Sequence, residues 1–271
     1  MGNYLKQLYV SSLMLFTGLL PCVLAAQEVT AHKVVTHCYY KYAGEDQRSG
    51  LIAIVRDAKG VEKRYEFIRL WKNYEGDKAG LDEKVIIYTL TPLVNKGVVF
   101  MRWGYTLESR KEADQWVYLP ETRMTRRIAR RDPANGDWGL NDDELRIRHI
   151  DEDNHSYLGI KTLERQQYYV VESRPKSDPM YSKRVAWYLK TDDWETCVEG
   201  RLDFYDKSGK LVKTQYTTWD RFDKAWVWRK VVVKNLQTKA TVIYEMTDVE
   251  INVGLKESDF SQRALKKRYR Y

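Results

Sequence analysis

Cysteine, histidine and proline are all scarce in this chain, with 3, 4 and 6 copies among 271 residues. So few cysteines exclude a fold stapled by a disulfide lattice, and no C-x-x-C pair is present for structural zinc or dithiol chemistry. His32, His37, His149 and His155 include no pair at the helical spacing of a zinc site. His149 and His155 lie near Asp151, Glu152 and Asp153, a grouping that reads as a polar loop between strands. His37 adjoins Cys38, but neighbouring side chains in extended chain point apart, so Cys38 reads as structural. No G-x-S-x-G elbow and no glycine-rich phosphate loop occurs. The acidic run Asp142-Asp143-Glu144 follows a loop-like stretch and reads as a solvated turn near several arginines. No catalytic constellation emerges. The expectation is a protein that is not an enzyme and uses no cofactor and no metal.

Long apolar runs are equally sparse. One stretch, from Leu8 to about Ala26, follows the lone charge Lys6 and exits through Ala25-Ala26. This is the pattern of a secretory leader. A membrane anchor is the competing reading, but the run is only marginally long enough to span a bilayer and contains Gly18 and Pro21. Lipidation at Cys22 ranks lower because Pro21 precedes it. The expectation is a leader over residues 1–26, cleaved on export, and one β domain over 27–271. After it, Cys38 and Cys197 remain. An exported pair can form a disulfide in an oxidising compartment, but spacing alone does not bring the two together.

What the chain has in quantity is aromatic and charged residues: 20 Tyr, 9 Trp and 31% charged positions. That mixture suits strands with one apolar and one wet face. Alternation is the dominant pattern. Val185, Trp187 and Leu189 share one face of Arg184–Leu189, and Leu202 and Phe204 oppose Arg201 and Asp203. Three hairpins are expected. One runs from Leu51–Val55 through Asp57–Gly60 to Tyr65–Leu70. Another follows Gly200–Asp206, turns at Lys207–Lys210 and resumes at Leu211. The third joins Val227–Val233 to Thr241–Met246. Helical pattern is confined to Val29–Tyr40 and Lys256–Lys267, the latter with Ser258 as a candidate cap. The expected fold is mainly antiparallel β. Such a sheet must close or be covered, and with few helices to fill it a strongly curved sheet would leave a cavity. An apolar cavity in an exported protein points to a lipid. A second sheet would fill the same space equally well.

The sharpest local feature is an arginine run, Arg123, Arg126, Arg127, Arg130 and Arg131, directly after the apolar segment Trp116–Leu119. Phosphates of nucleic acid, anionic lipid head groups at a membrane and an acidic partner are the ligands such a run can contact. Solubility alone is the bland alternative. Export argues against nucleic acid.

Several blocks, in order, resemble the periplasmic outer membrane lipoprotein-sorting family, related in fold to LolA and LolB. They are Gly97–Met101, Asp114–Pro120 with Arg123, Arg126, Arg127 and Ile128, Tyr181–Tyr188, Phe204–Lys213, and Thr241–Asp248 with Asp259-Phe260. The likeness covers about residues 45 to 265. One departure stands out: the aromatic–Gly–Ser–Asp–aromatic pattern of the family survives only in part at Trp138–Asp143.

The resemblance implies a half-open curved antiparallel sheet, an incomplete β-barrel with short lid helices. It further implies a periplasmic carrier of lipid or lipoprotein acyl chains, accessory to an exporter of the resistance–nodulation–division type. Candidate groove residues, taken from alternation, are Val185, Trp187, Leu189, Leu202, Phe204, Val231, Val233, Val242, Tyr244 and Met246. The five arginines would then form a positive rim for a head group or a transient membrane contact. The other reading of the same residues is a non-catalytic β scaffold that docks an exporter or envelope partner through the arginine loop.

Overall fold

The computed structural model describes residues 29–76, 80–128, 148–177 and 180–267. The leader, Arg130, Arg131 and the acidic run at 142–144 lie outside them. In chain order the strands are β1 (Asp46–Arg56), β2 (Glu62–Asn73), β3 (Leu81–Thr91), β4 (Val99–Tyr105), β5 (Asp114–Leu119), β6 (Met124–Arg127), β7 (Asp153–Leu163), β8 (Gln166–Pro175), β9 (Lys183–Leu189), β10 (Glu199–Tyr205), β11 (Leu211–Phe222), β12 (Ala225–Asn235) and β13 (Thr241–Ile251). A single helix, α1 (Ala31–Cys38), precedes them among the described residues.

All thirteen strands form one sheet, in the order β6-β5-β4-β3-β2-β1-β13-β12-β11-β10-β9-β8-β7. It is two meanders. Strands β1 to β6 step outward one way and β13 back to β7 step outward the other way. The antiparallel pairing of β1 with β13 joins them, from Gln47 opposite Ile251 to Arg56 opposite Thr241. This junction is close: a Cβ added at Gly50 would lie 2.2 Å from Thr247 Oγ1, so any larger residue at its bulge requires the Thr247 side chain to turn away. Strands β6 and β7 are left as edges, and the sheet does not close into a barrel.

Local chemistry accounts for the hairpins. Asp57 Oδ1 accepts from the backbone N–H groups of Lys59 (2.8 Å) and Val61 (2.9 Å). Asp206 Oδ1 does the same for Ser208 and Lys210, both at 2.9 Å. In each turn the fourth residue is a glycine at positive φ, Gly60 at 84° and Gly209 at 81°. An aspartate that mimics a turn, followed by a residue free to adopt left-handed backbone, fixes where each strand reverses.

The sheet curls strongly. Arg102 on β4 and Arg184 on β9 border one cavity, although seven strands lie between β4 and β9 in the sheet order. Only curvature toward the face that carries both side chains brings them together, and that face is the concave one. Register then assigns the other residues. Leu51, Ala53, Phe67, Val231, Val233, Val242 and Tyr244 share the concave face and form a buried apolar floor. Helix α1 lies on the same face, with Val34, Val35 and Cys38 against Tyr169, Val171, Ala186 and Tyr188. Its start is capped by Thr30, whose hydroxyl accepts from Lys33 N at 3.2 Å. The Cys38–Cys197 disulfide then ties its last residue to the segment before β10, across a sequence separation of 159.

The C-terminal tail differs from the expected helix. It forms two 3₁₀ turns, Glu257–Phe260 and Ala264–Lys266. The carboxylate of Asp259 accepts from Lys256 N at 2.9 Å, so Ser258 is not the cap. The tail also leaves the hollow alone: Phe260, Ala264 and Leu265 pack on the convex face against Ile68, Leu70, Ile86, Met101 and Trp116. Three backbone N–H groups leading into it, at Val253, Gly254 and Leu255, donate to the buried carboxylate of Asp46 at 2.8 to 3.1 Å. Phe260 is fully buried, so Phe260→Ala should cost about 3–5 kcal/mol, read as a lower denaturation midpoint in urea. An unchanged midpoint would show that the tail is not part of the core.

Candidate functional site

The concave side divides into a dry part and a wet part. The floor side chains are each less than a tenth exposed and pack on one another. The open space is a cavity of about 820 Å³ between the two meanders that the floor residues do not line; Tyr40, Trp71, Glu83, Arg102, Arg148 and Arg184 are among the residues that border it. One wall comes from β2, β3, β4 and the 105–113 loop, the other from residues 148–152 and β9. Across its mouth His149 Nε2 stands 3.7 Å from Glu108 Oε1.

The residues just after α1 hold the second wall in place. Tyr39 OH accepts from Arg148 N at 2.8 Å. Tyr40 OH donates to Arg148 O at 3.2 Å and accepts from Ile150 N at 3.1 Å. Burial pushes the Tyr39 and Tyr188 phenols well up, so both stay neutral hydrogen-bonding groups. The guanidinium of Arg148 grips Asp153 through two bonds, Nη2 to Oδ1 at 2.7 Å and Nε to Oδ2 at 3.2 Å. His155, set aside as a metal ligand, bridges Ser173 Oγ and Ile150 O at 2.8 Å each. His149 Nδ1 accepts from Asp151 N at 3.3 Å as the cap of a short turn. Both histidines thus have structural work that explains them.

The interior is far more charged than an apolar groove. On the first wall Glu83 receives both Arg102 and Trp71 Nε1, the latter at 2.6 Å. On β2 Arg69 donates to Gln47 Oε1 at 2.9 Å, and burial lowers its guanidinium to about 10. Glu199, on the concave side of β10 opposite Tyr188, is raised to about 8 by burial, with Arg184 opposing the rise. Arg69 and Glu199 each keep some accessible surface, yet burial dominates their titration. Such groups face an enclosed space rather than bulk water. Gln115, 1% exposed on β5, has neither amide atom bonded, and Ser49 Oγ is likewise without a partner.

The residues picked from alternation fall on both faces. Leu202 and Phe204 face the hollow with Val231, Val233, Val242, Tyr244 and Met246. Val185 and Trp187 pair with Asp203 and Arg201 and lie on the convex face, as does Leu189. There the Trp187 ring is covered by the Arg201 guanidinium at 5.1 Å. On β9 the concave side belongs instead to Arg184, Ala186 and Tyr188. The arginine run is also divided. Arg126 and Arg127 sit on the edge strand β6 opposite Val117 and Trp116, on opposite faces, and Arg123 is in the preceding turn. Arg127 pairs with Asp114. The interior arginines 69, 102 and 184 carry no signal in the sequence, because an arginine in an alternating strand reads as its solvent side.

An open antiparallel sheet curled round a hollow, with a helix bound on its concave side, defines a half-open barrel fold. A family model described as "-like: Uncharacterized protein" matches residues 81–267, and the chain belongs to that family. Its fold is that of the LolA-like lipoprotein-sorting proteins. A DUF1329 family protein from Desulfovibrio piger is 24% identical with a TM-score of 0.74, over 87% of this chain and 95% of that one. An outer membrane lipoprotein-sorting protein domain from Vibrio parahaemolyticus is 23% identical, with a TM-score of 0.72 over 88% and 97%. A LolA superfamily protein from Nitrosomonas europaea is 16% identical, with a TM-score of 0.64 over 88% and 100%. No curated protein matches the sequence.

Glu199 generates a pH dependence. Its folded-state value of about 8 stands above the ordinary 4.5, so the folded protein keeps a proton that the unfolded chain releases. That contribution is complete below the unfolded value and is lost as pH rises toward 8. Glu199→Gln should therefore flatten the fall in stability over that window, by about 3 kcal/mol at neutral pH. Urea titrations at both ends of the window would read it; identical slopes in the two proteins would contradict the assignment.

Proposed function

We propose that the protein is a periplasmic carrier that holds an acyl-chain amphiphile on the concave side of its sheet and catalyses no reaction. The observation that carries this reading is the cavity of about 820 Å³ inside an open sheet, whose lining includes Tyr40, Tyr42, Trp71, Leu107 and Met180. Its volume lies in the range of small-molecule sites. The chain of the amphiphile lies along the apolar lining of the cavity at Tyr40, Tyr42, Trp71, Leu107 and Met180, where each methylene removed from water contributes roughly 0.8 kcal/mol. The polar part sits among Arg102, Arg148 and Arg184. The fold shared with proteins described as lipoprotein-sorting supports this choice of cargo class. The leader expected over residues 1–26 supports the compartment.

The disulfide bears on how cargo enters. Helix α1 is anchored by Cys38 and by the buried Val34 and Val35, so it serves as fixed wall. The route is the mouth between the 105–113 loop and His149, which one 3.7 Å contact spans. Native mass spectrometry of protein purified from its own periplasm tests the reading. One bound amphiphile per chain, released by organic extraction, is the expected result. Protein that stays free of lipid after incubation with its host's lipid extract contradicts it.

A further inference from the structure

Arg184 is an interior arginine that makes no ion pair among the described residues. It is 7% exposed. Among the described residues no carboxylate pairs with it, and its Nη1 has no hydrogen-bond partner. Its contacts are aromatic: the guanidinium lies 5.3 Å from the Tyr181 ring centre and 5.9 Å from that of Phe204. Lys213, also buried, lies over the same two rings at 6.0 and 5.7 Å. The other interior arginines are engaged. Arg102 has Glu83, Arg148 has Asp153 in a two-bond grip, and Arg69 has Gln47. Burial, and after it the like charge of Arg148, lowers the proton affinity of Arg184, with Asp153 opposing the fall. Glu199 does not offset this, because its raised value keeps it mostly uncharged at neutral pH.

A buried, unpaired cation is costly, and an apolar side chain of the same length would pack better in its place. We infer that Arg184, at the polar end of the hollow, is the receptor for an acidic head group, a phosphate or carboxylate, of the carried amphiphile. The inference rests on the carrier reading above and specifies its cargo. A guanidinium presents a planar fork of donors that matches either anion. The cavity that Arg184 borders has room for a head group, and Tyr40, Tyr42, Trp71, Leu107 and Met180 on its lining supply apolar surface that a free anion would not need.

The test compares three probes: dioctanoyl phosphatidylglycerol, dioctanoyl phosphatidylcholine and inorganic phosphate. Binding is followed by calorimetry in the wild type, Arg184→Met and Arg184→Lys. The wild type should prefer the acidic lipid by about tenfold or more, the usual size of a charged hydrogen bond. Arg184→Met should lose that preference while still binding the zwitterionic lipid, and Arg184→Lys should keep part of it. Arg184→Met should also melt no lower than the wild type without lipid, because it removes an unpaired buried charge; a purely structural arginine would lower the melting temperature. Equal binding of the two lipids by the wild type overturns the head-group site and leaves the carrier reading standing. Binding of neither lipid overturns both. Arg184-dependent binding of phosphate alone, as tight as that of the acidic lipid, assigns the site to a free anion and overturns the amphiphile.

Discussion

The antiparallel pairing of β1 with β13 joins two meanders that run away from each other along one sheet. With the first and last strands side by side in the middle, the edges fall to β6 and β7. A sheet of this width cannot stay flat, since right-handed twist accumulates from strand to strand. Its curl brings β4 and β9 to face each other across a space neither could enclose alone. The close approach of Gly50 to Thr247 at the junction shows how little slack the pairing has.

That geometry also explains the distribution of charge. The concave face has two environments, a self-packed apolar floor around Val233 and Tyr244 and an aqueous end walled by arginines and carboxylates. Most interior charges are neutralised within their own wall, Arg102 by Glu83 and Arg148 by Asp153. Such pairs contribute little to net stability, but removing one partner would leave a buried ion. Arg184 makes no such ion pair among the described residues. On the rim, Arg126 and Arg127 occupy an edge strand, where charge deters pairing with a second sheet.

Local features of the fold were legible in the sequence. The Asp-x-x-Gly turns at 57–60 and 206–209, the strand alternation and the short helix before residue 40 are set by neighbouring residues, and the structure has all of them. The resemblance to the lipoprotein-sorting family gave the half-open sheet. Features set by distant residues were not legible. Alternation on β9 separates Val185 and Trp187 from Arg184 and Tyr188, but it does not say which set faces the hollow. Both faces are covered, Trp187 by Arg201 and Tyr188 by α1, so hydrophobicity cannot choose between them. The bond between Cys38 and Cys197, 159 residues apart, depends on where α1 docks. The tail was misjudged for a related reason: its 3₁₀ turns follow the convex surface they cover instead of a helical period of their own.

The central claim is that the sheet encloses its ligand on the concave side, with the acidic end toward β9. A crystal structure of the protein loaded with an acidic lipid brominated along its acyl chain tests this directly, because bromine can be located by anomalous scattering. The account predicts bromine peaks inside the curl, beside Trp71 in the cavity, with head-group density at Arg184. Peaks on the convex face, or along the β6 and β7 edges with the hollow holding water alone, would contradict it.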